Sequence, residues 1–355
     1  MNCLVVVTVG PASCNSEVLR QMLNAGANDF RINLSHSNQK SLDDYFDILE
    51  ENDITPCLDT QGAQLRLVDF SISQPSLEIG QLVSIVFGKD MPTSSSKDCL
   101  LVNHPEVVDQ IDDGDVLKVD FGGLAVKIVG REMSNVLNGE VIASGQIIKN
   151  RAIDVSGKEL KMNCLTVFDE IAIKYAVSRG CKKIYASFIS RMEDVLMIKD
   201  IVPSDVSIIS KIESKTSLSN LHAILEVSDA ILIDRGDLSR SITIPMVPMA
   251  VNNILSVASG YSKPVYIATN ILDSMMTSPV PSRAEISDLF NLLERGASGI
   301  VLAAEVAIGA HPVQSVALTK YIIDIFMLQK DGMLGLANLP LPSKKLVGNE
   351  LYQWL

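Results

Sequence analysis

Short apolar runs rich in β-branched side chains recur along the chain at residues 4–9 (LVVVTV), 29–34 (DFRINL), 54–58 (ITPCL), 183–188 (KIYASF), 206–212 (VSIISKI), 230–234 (AILID), 264–269 (PVYIAT) and 299–304 (GIVLAA). Between them lie segments whose apolar positions return every three or four residues, for example 16–25, 41–51, 283–295 and 312–328, the period of an amphipathic helix. Strands that alternate with helices in this way predict an α/β fold, a (β/α)8 TIM barrel in preference to an open doubly wound sheet.

The alternation breaks once. From 67 to 155 the chain changes to short β-like runs separated by turn residues, such as IDDGDVLKVDFGG, with no sustained helical period. This predicts a small all-β lid domain, itself barrel-like, inserted after strand 3. The expected organisation is therefore barrel over 1–66, inserted domain over 67–155, barrel again over 156–330 and a short capping tail over 331–355.

Composition narrows the function classes. The chain is 47% hydrophobic and 20% charged, as packed globular proteins are, and its net charge of −12 comes with no lysine- or arginine-rich block. Nucleic acid and anionic membrane are poor partners for such a surface, so any phosphate site must be local. Cysteines at 3, 14, 57, 99, 164 and 181 show no C-x-x-C spacing and suggest neither zinc nor a disulfide framework. Gly10 and Pro11 stop the first apolar run well short of a signal core or a membrane span. A cytoplasmic location is expected.

Candidate chemistry sits where the strands end. In a (β/α)8 barrel the carboxyl ends of the strands build the active face, and here strand after strand turns ionic or polar at that point. Arg31, Asn33, Ser35 and His36 follow strand two, and Asp59 and Thr60 follow strand three. Lys211 and Glu213 end strand five, Asp237 follows six, Thr269 follows seven and Glu305 follows eight. A solvated cap or an ion pair explains any one of these alone. Six strands doing so together point to one site.

The strings TVGPAS (8–13), RINLSHS (31–37), LDTQGAQLR (58–66), YASFIS (185–190), SKIES (210–214), SDAILIDRGDL (228–238), KPVYIATNILDSM (263–275) and PSRAEISD (281–288) resemble, in the same order, the motifs of pyruvate kinase. The resemblance implies transfer of phosphate from phosphoenolpyruvate to ADP, giving pyruvate and ATP. By that resemblance Glu213 and Asp237 hold Mg²⁺ or Mn²⁺, and Lys211 and Arg31 neutralise the transferring phosphoryl group. Thr269 stands beside the carbon that is protonated. The Gly236 and Asp237 amides, with Thr269, receive the substrate carboxylate. Asn33, Ser35, Asp59 and Thr60 match a K⁺ site, and His36, Arg66 and Arg151 match nucleotide or phosphate contacts. An inserted β domain after strand three is also a feature of that family, and the partners expected are small-molecule substrates and a homo-oligomer formed through the barrel.

Several positions depart from the family pattern. Gln61 and Gln64 stand where lysine and glutamate are usual, Phe121 replaces a carboxylate, and RAIDVSG (151–157) replaces KGVNLPG. In AAEVAIG (303–309), Ala303, Ala304 and Ile308 replace serine, glycine and lysine. Asp234 replaces an alanine beside the amides expected to hold the substrate carboxylate. Its charge would oppose a small acid unless it points away, is paired by Arg235 as a surface ion pair, or meets another substrate. The family's C-terminal regulatory domain has no counterpart before Leu355, so ordinary effector control is not expected. Two alternatives stand beside the kinase reading: a divergent enzyme acting on enolpyruvate or another keto acid with a different acceptor, and a non-catalytic paralogue.

Overall fold

The computed structural model describes residues 3–72, 74, 76–88, 98–119, 123–332 and 344–355. They form two compact units, one of residues 1–62 and 164–355 and the other of residues 63–163.

The larger unit is a closed barrel of eight parallel strands: β1 (Leu4–Val9), β2 (Asp29–Asn33), β3 (Pro56–Asp59), β4 (Lys183–Ala186), β5 (Ser207–Ile212), β6 (Ala230–Asp234), β7 (Val265–Ala268) and β8 (Gly299–Leu302). Each of the eight apolar runs supplies one of them, and β8 closes on β1 through Leu4 to Gly299 and the three following pairs. Helices form where the 3.6 period predicted them, over Ser16–Ala25, Gln39–Glu50, Arg283–Glu294 and Pro312–Lys330. Their ends are set by polar caps. Asn15 accepts from Val18 N–H, and Ser282 and Glu285 form a reciprocal capping box.

Pleating divides each strand between two environments. Ile208 and Ile212 of β5, with Ile231 and Ile233 of β6, face the helices in one large apolar cluster. The alternate positions, among them Val6, Cys57, Tyr185, Ile209, Leu232, Tyr266 and Val301, fill the barrel interior. One glycine is required there. A Cβ on Gly299 would lie 2.2 Å from Cδ1 of Tyr266, its cross-strand neighbour, whose ring packs edge-on to Tyr185 at 6.1 Å. Gly299→Ala is expected to cost about 1–3 kcal/mol through overpacking, read as a lowered midpoint in urea with an unchanged m-value.

The smaller unit is β-rich. Among the described residues its main sheet has seven strands, in the order Ile153–Val155, Val116–Val119, Leu124–Met133, Val136–Ala143, Leu82–Phe87, Cys99–Val102 and Leu67–Ser71. Pairing is antiparallel except between Leu82–Phe87 and Cys99–Val102. Leu67, Val83, Ile85, Val126, Leu137 and Val141 form its own core. The unit is inserted after β3, and the chain returns to the barrel through the helix Val167–Ser178.

In the tail, residues 344–354 are helical with a break at Gly348, and Val347 and Leu351 join the barrel's apolar cluster. No helix among the described residues is long and apolar enough to cross a membrane.

Candidate active site

The period of two that fills the barrel also builds its mouth. Counting inward positions along β5 from Ile209 gives Lys211 and then Glu213. Along β6, Ala230 and Leu232 lead to Asp234. Along β2, Arg31 lies between Asp29 and Asn33. The interior residue Cys57 of β3 leads to Asp59, and Tyr185 of β4 leads to Ser187. Apolar strands run into charge because their inward positions pass from the packed interior to the C-terminal opening.

These side chains form one connected network. Lys211 Nζ lies 2.9 Å from Glu213 Oε1, 3.3 Å from Asp59 Oδ1 and 3.7 Å from Asp234 Oδ2, and donates to Ser187 Oγ at 3.0 Å. Arg31 pairs with Asp59 Oδ2 at 2.8 Å and donates to Thr8 Oγ1. Ser187 Oγ in turn donates to Asp59 Oδ1, while the Phe188 N–H donates to Glu213 Oε2 at 2.6 Å. Phe188 holds that aim with φ of 54°, a left-handed conformation unusual for an aromatic residue.

Asp234 does not behave as a surface ion pair. It is only 7% exposed, and Arg235 turns away from it to the carbonyls of Thr269 and Asn270 and to Asp288. The register of β6 is the reason, since Asp234 shares the inward parity of Ala230 and Leu232. Asp234 Oδ1 accepts from Thr269 Oγ1 at 3.1 Å and, over a long 3.4 Å, from the Asp237 N–H. The Gly236 N–H donates to Thr269 Oγ1 at 2.8 Å. Thr269 follows β7 with φ of 65°, the second left-handed non-glycine residue touching this network. Thus both amides expected to receive a substrate carboxylate already have acceptors within the protein.

The remaining candidates are distributed differently. Asn33 pairs in register with Asp59, but its Oδ1 accepts from the Ser35 N–H and caps the turn that ends in exposed His36. Thr60 Oγ1 accepts from the Ser187 N–H. Gln61, in the position of the family's lysine, donates its side-chain amide to the Leu34 carbonyl. Arg66 and Arg151 belong to the smaller unit, where Arg66 donates to the Asn150 carbonyl and Arg151 is exposed. Phe121 lies outside the described residues.

Glu305 serves the scaffold, accepting from the N–H groups of Leu272 and Ala303. Sequence reasoning assigned no role to Ser187, the Phe188 amide or Asp169. Asp169 is buried and accepts from the N–H groups of Gln61, Gly62 and Thr166, fixing the exit of β3. Burial raises its pKa against those hydrogen bonds. Only its place in the T-x-x-D capping pattern at 166–169 hinted at a task.

The electrostatics favour an added cation. Burial alone would lower the Lys211 pKa, but Asp59, Glu213 and Asp234 reverse that and hold the ammonium well above its usual range. Glu213 is pushed up to about 8 by burial, with Asp237 and Asp234 adding to the rise and Lys211 opposing it. Arg31, Asp59, Lys211, Glu213 and Asp234 are all less than a tenth exposed and set three carboxyl groups against two cations; half-buried Asp237 adds a fourth carboxyl group. One oxygen from each of Glu213, Asp234 and Asp237 lies within 4.8 Å of the others. Hard oxygen donors grouped so closely suit Mg²⁺ or Mn²⁺.

Comparison with known families matches residues 2–316 to the family described as pyruvate kinase, barrel domain. The pyruvate kinase of Methylorubrum extorquens is 32% identical over 330 residues, covering 90% of this chain and 67% of that protein. The pyruvate kinase of Sporosarcina psychrophila is 31% identical over 323 residues, and the chloroplastic pyruvate kinase isozyme G of Nicotiana tabacum is 32% identical over a stretch of the same length. Those alignments take in 88% of this chain but 55% and 56% of the two relatives. The chain therefore spans between about half and two thirds of the length of these curated relatives.

Proposed function

The chain belongs to the pyruvate kinase family, and on that footing we propose that it transfers the phosphoryl group of phosphoenolpyruvate to a nucleoside diphosphate, ADP in the first instance. The observation that carries this reading is Lys211, a buried ammonium held among Asp59, Glu213 and Asp234 at the mouth of the barrel.

Phosphoryl transfer depends on positioned positive charge around the oxygens of the group in flight. Lys211 supplies one such charge, fixed by three carboxylates and Ser187, and Arg31 supplies a second, fixed by Asp59 and Thr8. Because both are held before substrate arrives, little reorganisation is needed during the reaction. Thr269 Oγ1 accepts from the Gly236 amide and can donate to Asp234 or to the Ala268 carbonyl, and by the resemblance its hydroxyl would stand beside the carbon that is protonated. Glu213 and Asp237 would hold the divalent cation, which when bound supplies Lewis-acid polarisation of the substrate oxygens.

Pyruvate formation from phosphoenolpyruvate, followed in a coupled assay with Mg²⁺ and a panel of nucleoside diphosphates, tests the proposal. Formation that depends on the acceptor supports it, and none with any acceptor at saturating substrate contradicts it. Asp234 favours a second reading, in which the same chemistry serves a different keto acid or acceptor, because its carboxylate engages groups that a small acid would need. We further propose, on the resemblance alone, that Asn33, Ser35, Asp59 and Thr60 hold K⁺. Turnover is expected to rise when K⁺ replaces tetramethylammonium at constant ionic strength, whereas equal rates would remove K⁺ from the account.

A further inference from the structure

We infer that Asp234 acts as a built-in carboxylate, joining Glu213 and Asp237 around the divalent cation while competing with the carboxylate of the substrate. This rests on the phosphotransfer reading and assigns the determinant of substrate affinity in that same site.

Four observations lead to it. The pleat of β6 turns Asp234 inward with Ala230 and Leu232, so its carboxylate points into the opening of the barrel. One of its oxygens belongs to the group of three that come within 4.8 Å, so it is placed to share a cation with Glu213 and Asp237. Its Oδ1 lies 3.1 Å from Thr269 Oγ1, whose single proton can go to it or to the nearer Ala268 carbonyl, and accepts a long bond from the Asp237 N–H, while Thr269 Oγ1 occupies the Gly236 N–H. Finally, it adds negative charge to a buried set that already contains Asp59 and Glu213, against the two cations Arg31 and Lys211. A third carboxylate strengthens cation binding through ligand charge. The same charge repels an incoming carboxylate and takes one of the two amides that would hold it, the Asp237 N–H.

The two consequences have opposite signs, and that makes the inference testable. In full-length protein, Asp234→Ala is expected to weaken Mn²⁺ binding by about tenfold, measured by titration calorimetry without substrate. With Mn²⁺ at saturation, the same variant is expected to bind phosphoenolpyruvate about tenfold more tightly than the wild type. General damage to the site would weaken both, and circular dichroism with thermal unfolding reports whether the fold survives. Asp234→Asn serves as the second variant: it keeps the shape and loses the charge, and should move both affinities in the same directions.

Unchanged Mn²⁺ affinity in both variants, or weaker phosphoenolpyruvate binding in both, overturns the inference. Failure of the phosphotransfer reading looks different. In that case wild type and variants bind Mn²⁺ with the expected order, yet none forms pyruvate from phosphoenolpyruvate with any nucleoside diphosphate.

Discussion

Lys211→Met is expected to lower turnover by about 10²–10³-fold, the usual consequence of removing one preorganised charge from a transition-state site. Methionine keeps much of the side-chain volume, so the loss is electrostatic. Arg31 cannot replace the ammonium, because Asp59 and Thr8 hold its guanidinium on the other side of the shared carboxylate. The substitution also leaves Asp59, Glu213 and Asp234 buried without their common cation. Breaking a buried pair from one side costs about 3–5 kcal/mol, and thermal unfolding in metal-free buffer should show it. Saturating Mn²⁺ should restore part of that stability, since a ligand bound only by the native state stabilises it by mass action, without restoring turnover. Near wild-type rates in this variant would mean that Lys211 holds the fold and not the reacting group.

Glu213→Gln is expected to remove activity by another route. The amide oxygen can still accept from the Phe188 N–H, which preserves the turn after β4. What disappears is one of the charges on the cation, and Mn²⁺ affinity should fall by about ten- to a hundredfold. Turnover should fall by about 10²–10³-fold even at high metal. Stability without metal should fall as well, because the glutamine NH2 would then face the Lys211 ammonium that Glu213 Oε1 pairs with at 2.9 Å. Calorimetry, a coupled assay and circular dichroism on the one variant separate these effects. A variant with normal Mn²⁺ affinity would place the cation elsewhere.

Much of the barrel was legible because one physical rule, apolar strands separated by amphipathic helices, was obeyed at every repeat from Leu4–Val9 to Gly299–Leu302. The ionic ends of the strands were legible for the same reason. Asp234 could have been placed as well. Alternation from Leu232 puts it on the side of the strand that faces the interior, and a parity count would have set aside pairing with Arg235. Ser187, Phe188 and Asp169 were harder. Ser187 carries no charge, Phe188 contributes a backbone N–H held by a strained φ, and Asp169 acts across 108 residues of sequence on the Gln61 amide. Glu305 shows the reverse error, a charge at a strand end that braces two backbone segments.

The most direct test of the central claim is exchange of the methyl protons of pyruvate for deuterium, followed by NMR. This half-reaction calls on Lys211, the carboxylates Glu213 and Asp237 and the hydroxyl of Thr269, and on neither ADP nor the smaller unit. With Mg²⁺ and saturating pyruvate the wild-type protein should incorporate deuterium well above the buffer rate, while Lys211→Met and Glu213→Gln should not. Absence of exchange in the metal-saturated wild type, or exchange that both substitutions leave intact, would contradict the assignment of this network as the catalytic centre.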